Sequence, residues 1–451
     1  MFKKHKYNKL SNSSTKNFKI IIISFLLLIF AGAFLLMLPI SSQSRTFTSF
    51  FDALFTSVSA TCVTGLVVQD TATHWSLFGK VVIITLIQIG GMGVITIGLA
   101  IITVTGKRIG LSQRSAMQES ISAPQIGGII RLTSFILKTS AIIELTGALL
   151  LMPVFCRDKN IGVVKGIGYS FFHSISAFCN AGFDLMGFTE KFSSLTYYND
   201  YAYFNAVIML LIVVGGIGFL TWNDIITYRF NFRKYSLQSK VALTTTALLI
   251  FIPALYMFMY EYSDYPMKSR ILSSFFQSIT TRTAGFNTTD LSQMDESGVL
   301  IMIFLMLIGG SPGSTAGGMK TTTFAVIFLG AISVFARKKD VECFKRRIPE
   351  DAVRNAGAIL FMYMFLFLAG GIFISRFEGL PLMTCLFETG SAIGTAGLTL
   401  GITTSLSLPS KAILAMLMFF GRVGGLTLIY AALPSNESQA SRMPLEKITV
   451  G

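Results

Sequence analysis

The sequence predicts an all-α integral membrane protein of eight transmembrane helices, arranged as four pseudo-symmetric helix–pore loop–helix repeats around one central pore. Three observations predict this: long apolar runs, a basic bias confined to alternate connections, and a glycine loop followed by a glycine landmark that recurs four times.

The chain has 451 residues, 52% hydrophobic and only 13% charged. A soluble domain carries about 25% charged residues. Segments 20–40, 81–104, 202–226 and 357–374 each reach the roughly 18 apolar residues that a span requires. A sizeable soluble domain is excluded, because the longest polar stretches are the first 19 residues, segment 335–356 and the tail after Ala432. The first apolar run follows a leader with six lysines. It exceeds the roughly 7–15 residues of a signal-peptide core, and no small-residue cleavage pattern closes it.

Charge orients the spans. Segments 1–19, 105–131, 228–240, 335–356 and 433–451 hold 23 basic and 7 acidic residues. The intervening connections 41–78, 156–201, 262–297 and 377–407 hold 8 basic and 12 acidic. The positive-inside rule places both termini and the basic loops in the cytoplasm of a plasma membrane. Because the net charge of +15 flanks spans, it does not require a nucleic-acid partner. The expected spans are 18–40, 79–104, 132–155, 202–227, 241–261, 298–334, 354–376 and 408–432, of which the sixth is overlong and interrupted.

The repeat lies in the outer connections. Cys62–Leu66, Cys179–Phe183, Arg282–Phe286 and Gly394–Leu398 align on Gly65, Gly182, Gly285 and Gly397, which stand 117, 103 and 112 residues apart. A phenylalanine stands ten positions before each glycine (Phe55, Phe172, Phe275, Phe387), and Ser59, Ser176 and Ser391 stand six before in three units. A second landmark, at Gly90, Gly215, Gly309 and Gly421, follows by 25, 33, 24 and 24 residues. Segments 50–60, 170–179, 272–281 and 383–393 are too short to cross a bilayer and read as re-entrant pore helices. The units then divide as 1–17 (N-terminal segment), 18–104, 105–227, 228–334, 335–432 and 433–451 (C-terminal tail).

Four converging loops suit a dehydrated monovalent cation. Backbone carbonyls supply oxygen ligands without a fixed charge that would trap the ion. Glycine permits positive φ and close approach to the axis. Thr64, Ala181, Ala284 and Ala396 precede the glycines, so the loops lack the carboxylates of a divalent site. Tight turns and close helix packing are the structural alternative. The sixth span carries Gly309, Gly310, Ser311, Pro312, Gly313, Ser314, Thr315, Ala316, Gly317 and Gly318, a density of glycine and proline that no regular helix holds. A polar loop there could obstruct a pore, whereas a passive kink is the alternative. Arg422 replaces the glycine found at Gly91, Gly216 and Gly310; a charge inside a span is a functional candidate, either tuning cation passage or pairing with a carboxylate such as Glu388. Arg282 is expected to point away from the axis, and Lys138, Glu144 and Asp224 receive no role.

The five cysteines and three histidines form no metal or disulfide pattern, and no catalytic cluster appears, so an enzyme is not expected. The nearest approach to a phosphate loop, Gly313–Gly318, lacks its lysine. An alternating-access carrier of a small cation or solute remains the alternative, though such carriers commonly show inverted repeats.

These loops and landmarks resemble the Trk/Ktr/HKT superfamily of potassium transporters, most closely its Ktr membrane subunits (KtrB), from about residue 18 to the C-terminus. The resemblance implies potassium uptake through a single-subunit selectivity filter. Its carbonyls would come from Val63, Thr64 and Gly65, from Asn180, Ala181 and Gly182, from Thr283, Ala284 and Gly285, and from Thr395, Ala396 and Gly397. Glycine at position 65 implies potassium preference, with sodium as an activating or coupled ion. It further implies an intramembrane gating loop at 309–318 followed by Lys320, and a pore-lining arginine at Arg422. No covalent cofactor is implied. The implied assembly is a homodimer in the lipid bilayer with a cytosolic KtrA-like nucleotide-binding subunit.

Overall fold

A computed structural model describes residues 2–94, 96–98, 114–115, 118, 128–188, 190–425, 427 and 446, with side chains from residue 18. The described residues are mostly helical. The first set of helices is α1 (Phe2–Met37), α2 (Phe50–Cys62) and α3 (Leu77–Met92). The second is α4 (Ile129–Phe155), α5 (Val163–Phe178), α6 (Ala202–Gly216) and α7 (Phe219–Tyr228). The third is α8 (Leu237–Tyr256), α9 (Met267–Thr280), α10 (Glu296–Leu307) and α11 (Thr321–Phe335), and the fourth is α12 (Glu350–Glu378), α13 (Leu382–Gly394) and α14 (Leu408–Val423). A hairpin of two short strands, β1 (Glu342–Cys343) and β2 (Arg346–Arg347), lies between α11 and α12.

Among the described residues, four helices are long and apolar enough to cross a membrane: Phe18–Met37 within α1, α4, α8 with its extension to Glu261, and α12. These are the first helices of the four sets. Their outer faces carry exposed Leu27, Phe34, Phe251, Phe361 and Phe365, whereas the interior is rich in serine and threonine. Lipid tails exert no hydrophobic drive between helices, so small residues and interhelical hydrogen bonds must hold such a bundle together. Ser57 Oγ donates to Ile29 O at 2.6 Å, Ser174 Oγ to Glu144 O at 2.6 Å and Ser278 Oγ to Ile250 O at 2.7 Å. Each ties a short re-entrant helix to the long helix before it.

The second helices differ from the sequence expectation. One break was anticipated, in the sixth span, but all four second helices break at the glycine landmark. Among the described residues, α3 stops at Gly93 (φ +89) and α14 at Gly424 (φ +88), while α6 and α7 meet at 99° around Gly218 (φ +95). Gly-x-Gly runs at 91–93 and 216–218 are the physical reason, since left-handed backbone ends a helix and glycine adopts it without strain. Span 202–227 is therefore a bent pair. The far ends of spans 79–104 and 408–432, most of connection 105–131 and nearly all of the tail 433–451 lie outside the described residues.

Packing closes the sets into a ring. Each re-entrant helix also touches the second helix of the preceding set: α5 touches α3, α9 touches α6, α13 touches α10, and α2 touches α14. Within each set the landmark glycines let the second helix close onto its own re-entrant helix. A Cβ on Gly90 would strike Thr61 O, one on Gly215 would strike Phe178 O, and one on Gly421 would strike Ile393 O.

Gly421→Ala is therefore expected to cost about 1–3 kcal/mol through overpacking against backbone, read as a lower melting temperature of the purified protein. Gly357→Ala, on an exposed helical face with open space around it, is expected to be neutral or stabilising by up to about 1 kcal/mol. Equal melting temperatures for the two variants would contradict the packing role of Gly421.

Candidate functional site

The four re-entrant helices end at one place. In each loop the first residue of the aligned triplet is left-handed (Val63 φ +57, Asn180 φ +58, Thr283 φ +73, Thr395 φ +50), and so is the glycine two positions on (Gly65 φ +94, Gly182 φ +68, Gly285 φ +81, Gly397 φ +81). The middle residue has ordinary negative φ. Alternating hand along a strand turns successive carbonyls to one side and N–H groups to the other. The N–H side is spent on the re-entrant helix: Thr64 N donates to Ser59 O at 2.8 Å, Ala181 N to Ser176 O at 2.8 Å, Ala396 N to Ser391 O at 2.7 Å and Ala284 N to Thr280 O at 2.9 Å.

The carbonyl side is unspent. None of the twelve carbonyl oxygens of 63–65, 180–182, 283–285 and 395–397 accepts a hydrogen bond within the described residues. Buried carbonyls are nearly always paired. The loops also meet head to tail. A Cβ on Gly65 would lie 2.6 Å from Ala181 O, one on Gly182 2.8 Å from Ala284 O, one on Gly285 2.7 Å from Ala396 O, and one on Gly397 would strike Thr64 O. That cycle returns to its start, so all twelve triplet residues singled out in the sequence come together, on a ring too tight for any side chain at the four glycines.

One alignment shifts. In the third unit the helix pattern sits one residue closer to its glycine. Phe276 rather than Phe275 is fully buried, and Thr280 supplies the hydroxyl missing from the serine position. Ser176 Oγ donates to Phe183 O at 2.7 Å, and Thr280 Oγ1 makes the equivalent bond to Phe286 O at 2.6 Å. Ser59 Oγ accepts from Gly65 N at 3.1 Å, whereas Ser391 Oγ has no partner among the described residues.

Segment 309–318 forms an irregular loop against one side of this ring. Gly309 N donates to Met319 O at 2.7 Å, Ser311 N to Gly216 O at 2.8 Å and Gly318 N to Gly421 O at 3.2 Å, while Gly313 O accepts from Phe219 N at 2.6 Å. Thr315 Oγ1 donates to Phe178 O at 2.9 Å, and the Lys320 ammonium donates to Ala316 O at 2.8 Å. Gly317 packs so closely on Thr395 that a Cβ would strike its side chain. Arg422 crosses the loop: its guanidinium donates to Thr315 O and to Gly90 O, and to Gly91 O at 2.8 Å. It thereby bonds the third, fourth and first sets together. A cavity of about 190 Å³ lies beneath, lined by Gly93, Phe219, Ser314, Lys320 and Arg422 among others.

The pairing considered for Arg422 and Glu388 does not form. Glu388 accepts from Thr399 and, at 2.9 Å, from Thr403 Oγ1, so it braces the loop that follows its own re-entrant helix. Arg282 points outward as expected, toward Thr246 Oγ1 at 3.5 Å on α8. Two supports carried no sequence signal. Asp70 accepts from Thr73 N at 2.8 Å and from Phe192 N at 3.0 Å, joining the outer loops of the first two sets. His173 Nε2 accepts from Leu185 N at 3.3 Å, fixing the strand that leaves the second loop.

A family model described as "TrkH: Cation transport protein" matches residues 1–441. The chain is 38% identical to the potassium/sodium uptake protein NtpJ of Enterococcus hirae, over 96% of this chain and 97% of that protein. It is 39% identical to the Ktr system potassium uptake protein B of Bacillus subtilis, over 93% and 94%. Among solved structures, the potassium transporter TrkH from Vibrio parahaemolyticus shares the fold, with a TM-score of 0.74 at 20% identity over 93% of this chain and 85% of that one.

Asp184 lies two residues beyond Gly182 and accepts from Met186 N at 2.9 Å. Burial pushes its carboxyl up to about 7, against that N–H, with Asp70 adding repulsion. A carboxyl raised on folding adds stability that is complete below its unfolded pKa of about 4 and is lost as pH rises through its folded pKa. The melting temperature should therefore fall from pH 5 to pH 8 by more in the wild type than in Asp184→Asn. Parallel pH profiles would contradict the assignment.

Proposed function

The chain belongs to the TrkH family of cation transport proteins, and from that premise we propose that it takes up potassium across the plasma membrane through a channel-like pore. One observation carries the reading: twelve unpaired backbone carbonyls in a closed ring, held open from behind by their own N–H groups. Such a ring substitutes for the hydration shell of a monovalent cation. The relatives named for potassium or potassium/sodium uptake support the same ion class. All four sets run in one direction, which favours a pore over an inverted-repeat carrier.

In this reading Val63–Gly65, Asn180–Gly182, Thr283–Gly285 and Thr395–Gly397 form the selectivity filter. Each triplet offers few stacked oxygens, so discrimination among alkali ions is modest, and sodium acts as activator or coupled ion. The helix C-termini of α2, α5, α9 and α13 present their partly negative ends to the same axis. Loop 309–318 closes the inner side of the filter, with Lys320 bracing it and Arg422 locking it. The guanidinium does two things there. It holds the loop by bonds to Thr315, and it sets a positive charge in the path of a cation. Both termini lie in the cytoplasm. The chain works as a homodimer with a cytosolic KtrA-like nucleotide-binding subunit, consistent with relatives named as parts of a Ktr system.

The filter is tested by potassium-limited growth and rubidium uptake in cells lacking their own potassium uptake systems, with the regulatory partner supplied. Gly65→Ser, Gly182→Ser, Gly285→Ser and Gly397→Ser at matched expression are expected to weaken potassium preference, because each new Cβ meets the neighbouring loop's carbonyl. Wild-type behaviour in all four would move the ion path elsewhere.

The gate is tested by Arg422→Ala and by removal of residues 314–316. Basal uptake without the regulatory partner is expected to rise on the order of tenfold, the shift that about 1.4 kcal/mol of lost closed-state stabilisation produces. Unchanged or lower flux in well-expressed variants would sink the gating role.

A further inference from the structure

Two adjoining cavities in the third set stand outside the pore. The first is a groove of about 600 Å³ between α8 and the α10–α11 pair. Its walls include Leu248, Ile252, Phe304 and Phe328, all exposed on the outer face of the bundle. It follows α8 from Val241 to Tyr256, a rise of about 22 Å at 1.5 Å per residue. Thr244 spends its hydroxyl on its own helix, donating to Lys240 O at 2.9 Å. The groove thus suits a long apolar chain.

The second cavity, about 550 Å³, opens at the end of this groove and is lined by Arg233, Lys234, Lys240 and Arg346. These four cations have no carboxylate partner among the described residues. The nearby ion pairs use Lys338 with Glu342 and Arg347 with Asp340. Asp224 is committed to Ser236, accepting from its N at 3.0 Å and its Oγ at 2.8 Å. Lys240 Nζ donates to Arg233 O at 2.8 Å, which leaves its charge uncompensated.

Phe344 lines both cavities. It forms the tip of the β1–β2 hairpin with Lys345, and both residues are left-handed (φ +50 and +61). A two-residue turn of this kind favours asparagine and glycine, and a bulky residue there is strained. Its phenyl ring lies at the seam of the cavities, edge-on to Phe232 at 6.0 Å.

We propose that an anionic phospholipid binds across these two cavities, one acyl chain in the groove and its phosphate among Arg233, Lys234, Lys240 and Arg346. Basic pockets at the ends of membrane helices attract such head groups. An acidic protein would neutralise the cations but leave the groove empty, whereas a lipid fills both. The bound chain wedges against α11, the helix that begins where loop 309–318 ends. Bilayer composition thereby reaches the element next to the candidate gate.

The test uses the full-length chain in detergent and native mass spectrometry, titrating phosphatidylglycerol against phosphatidylcholine. Phosphatidylglycerol should be retained preferentially. Arg233→Ala/Lys234→Ala/Arg346→Ala should weaken its retention on the order of a hundredfold, since each basic residue near an anionic head group contributes several-fold. Leu248→Trp, which narrows the groove while leaving the cations, should weaken both lipids. Should the triple variant misfold, Lys234→Glu on the exposed rim reads the same loss. Equal retention of the two lipids, or unchanged retention in the basic variants, would overturn the proposal. So would loss of regulatory-subunit binding by the basic variants with lipid retention intact, or efficient disulfide formation between Leu248→Cys copies across the groove. No readout depends on transport, so failure here is separable from failure of the uptake reading.

Discussion

A backbone carbonyl inside a membrane protein must find a partner, and here twelve find none among the described residues. Everything near the ring serves to keep them that way. Unpaired polar backbone at membrane depth is tolerated only where protein covers it or where it lines a path for ions and water. The loops satisfy this by giving their N–H groups to the re-entrant helices and leaving the carbonyls over. The serine and threonine hydroxyls behind them tie those helices to the long outer ones. An apolar exterior and a hydroxyl-rich interior follow from the same requirement.

Closure of the ring explains the glycines better than turn propensity does. Each loop glycine abuts a carbonyl of the next loop, and the fourth abuts the first. Each landmark glycine that packs on a re-entrant helix end removes a side chain where two backbones cross. The bundle can therefore bring four irregular segments to one axis without stranding bulk between them. Arg422 is the one large side chain admitted at a landmark position. It occupies the space by satisfying carbonyls of two other sets, which is how a guanidinium is accommodated inside a bundle.

Much of this was legible in the sequence because the repeat carries its own internal check. Gly65, Gly285 and Gly397 stand 24 or 25 residues before a second landmark and Gly182 stands 33 before it, so the order of the units is readable without coordinates. The irregular loop at 309–318 was legible from its proline and glycines. The one-residue slip in the third unit was not, because Phe275 and Phe276 are adjacent and only the packing decides which is buried. The breaks at Gly93 and Gly218 carry a visible Gly-x-Gly signal that apolar neighbours mask as continuous span, whereas at Gly424 Arg422 stands where the first glycine of that run would be. The partners of Arg422 were illegible for a deeper reason. They are backbone carbonyls more than 100 and more than 330 residues away in sequence, and a carbonyl has no identity in a sequence. The left-handed Phe344 at the hairpin tip likewise shows nothing in its letter.

The central claim is that the unpaired carbonyls are ion ligands. Anomalous diffraction from crystals grown in a rubidium or thallium salt tests it without reference to flux. The account predicts density on the axis of the ring, within coordinating reach of the carbonyls of Thr64, Ala181, Ala284 and Ala396. A ring free of such density, with ordered cations bound at carboxylates elsewhere, would contradict it.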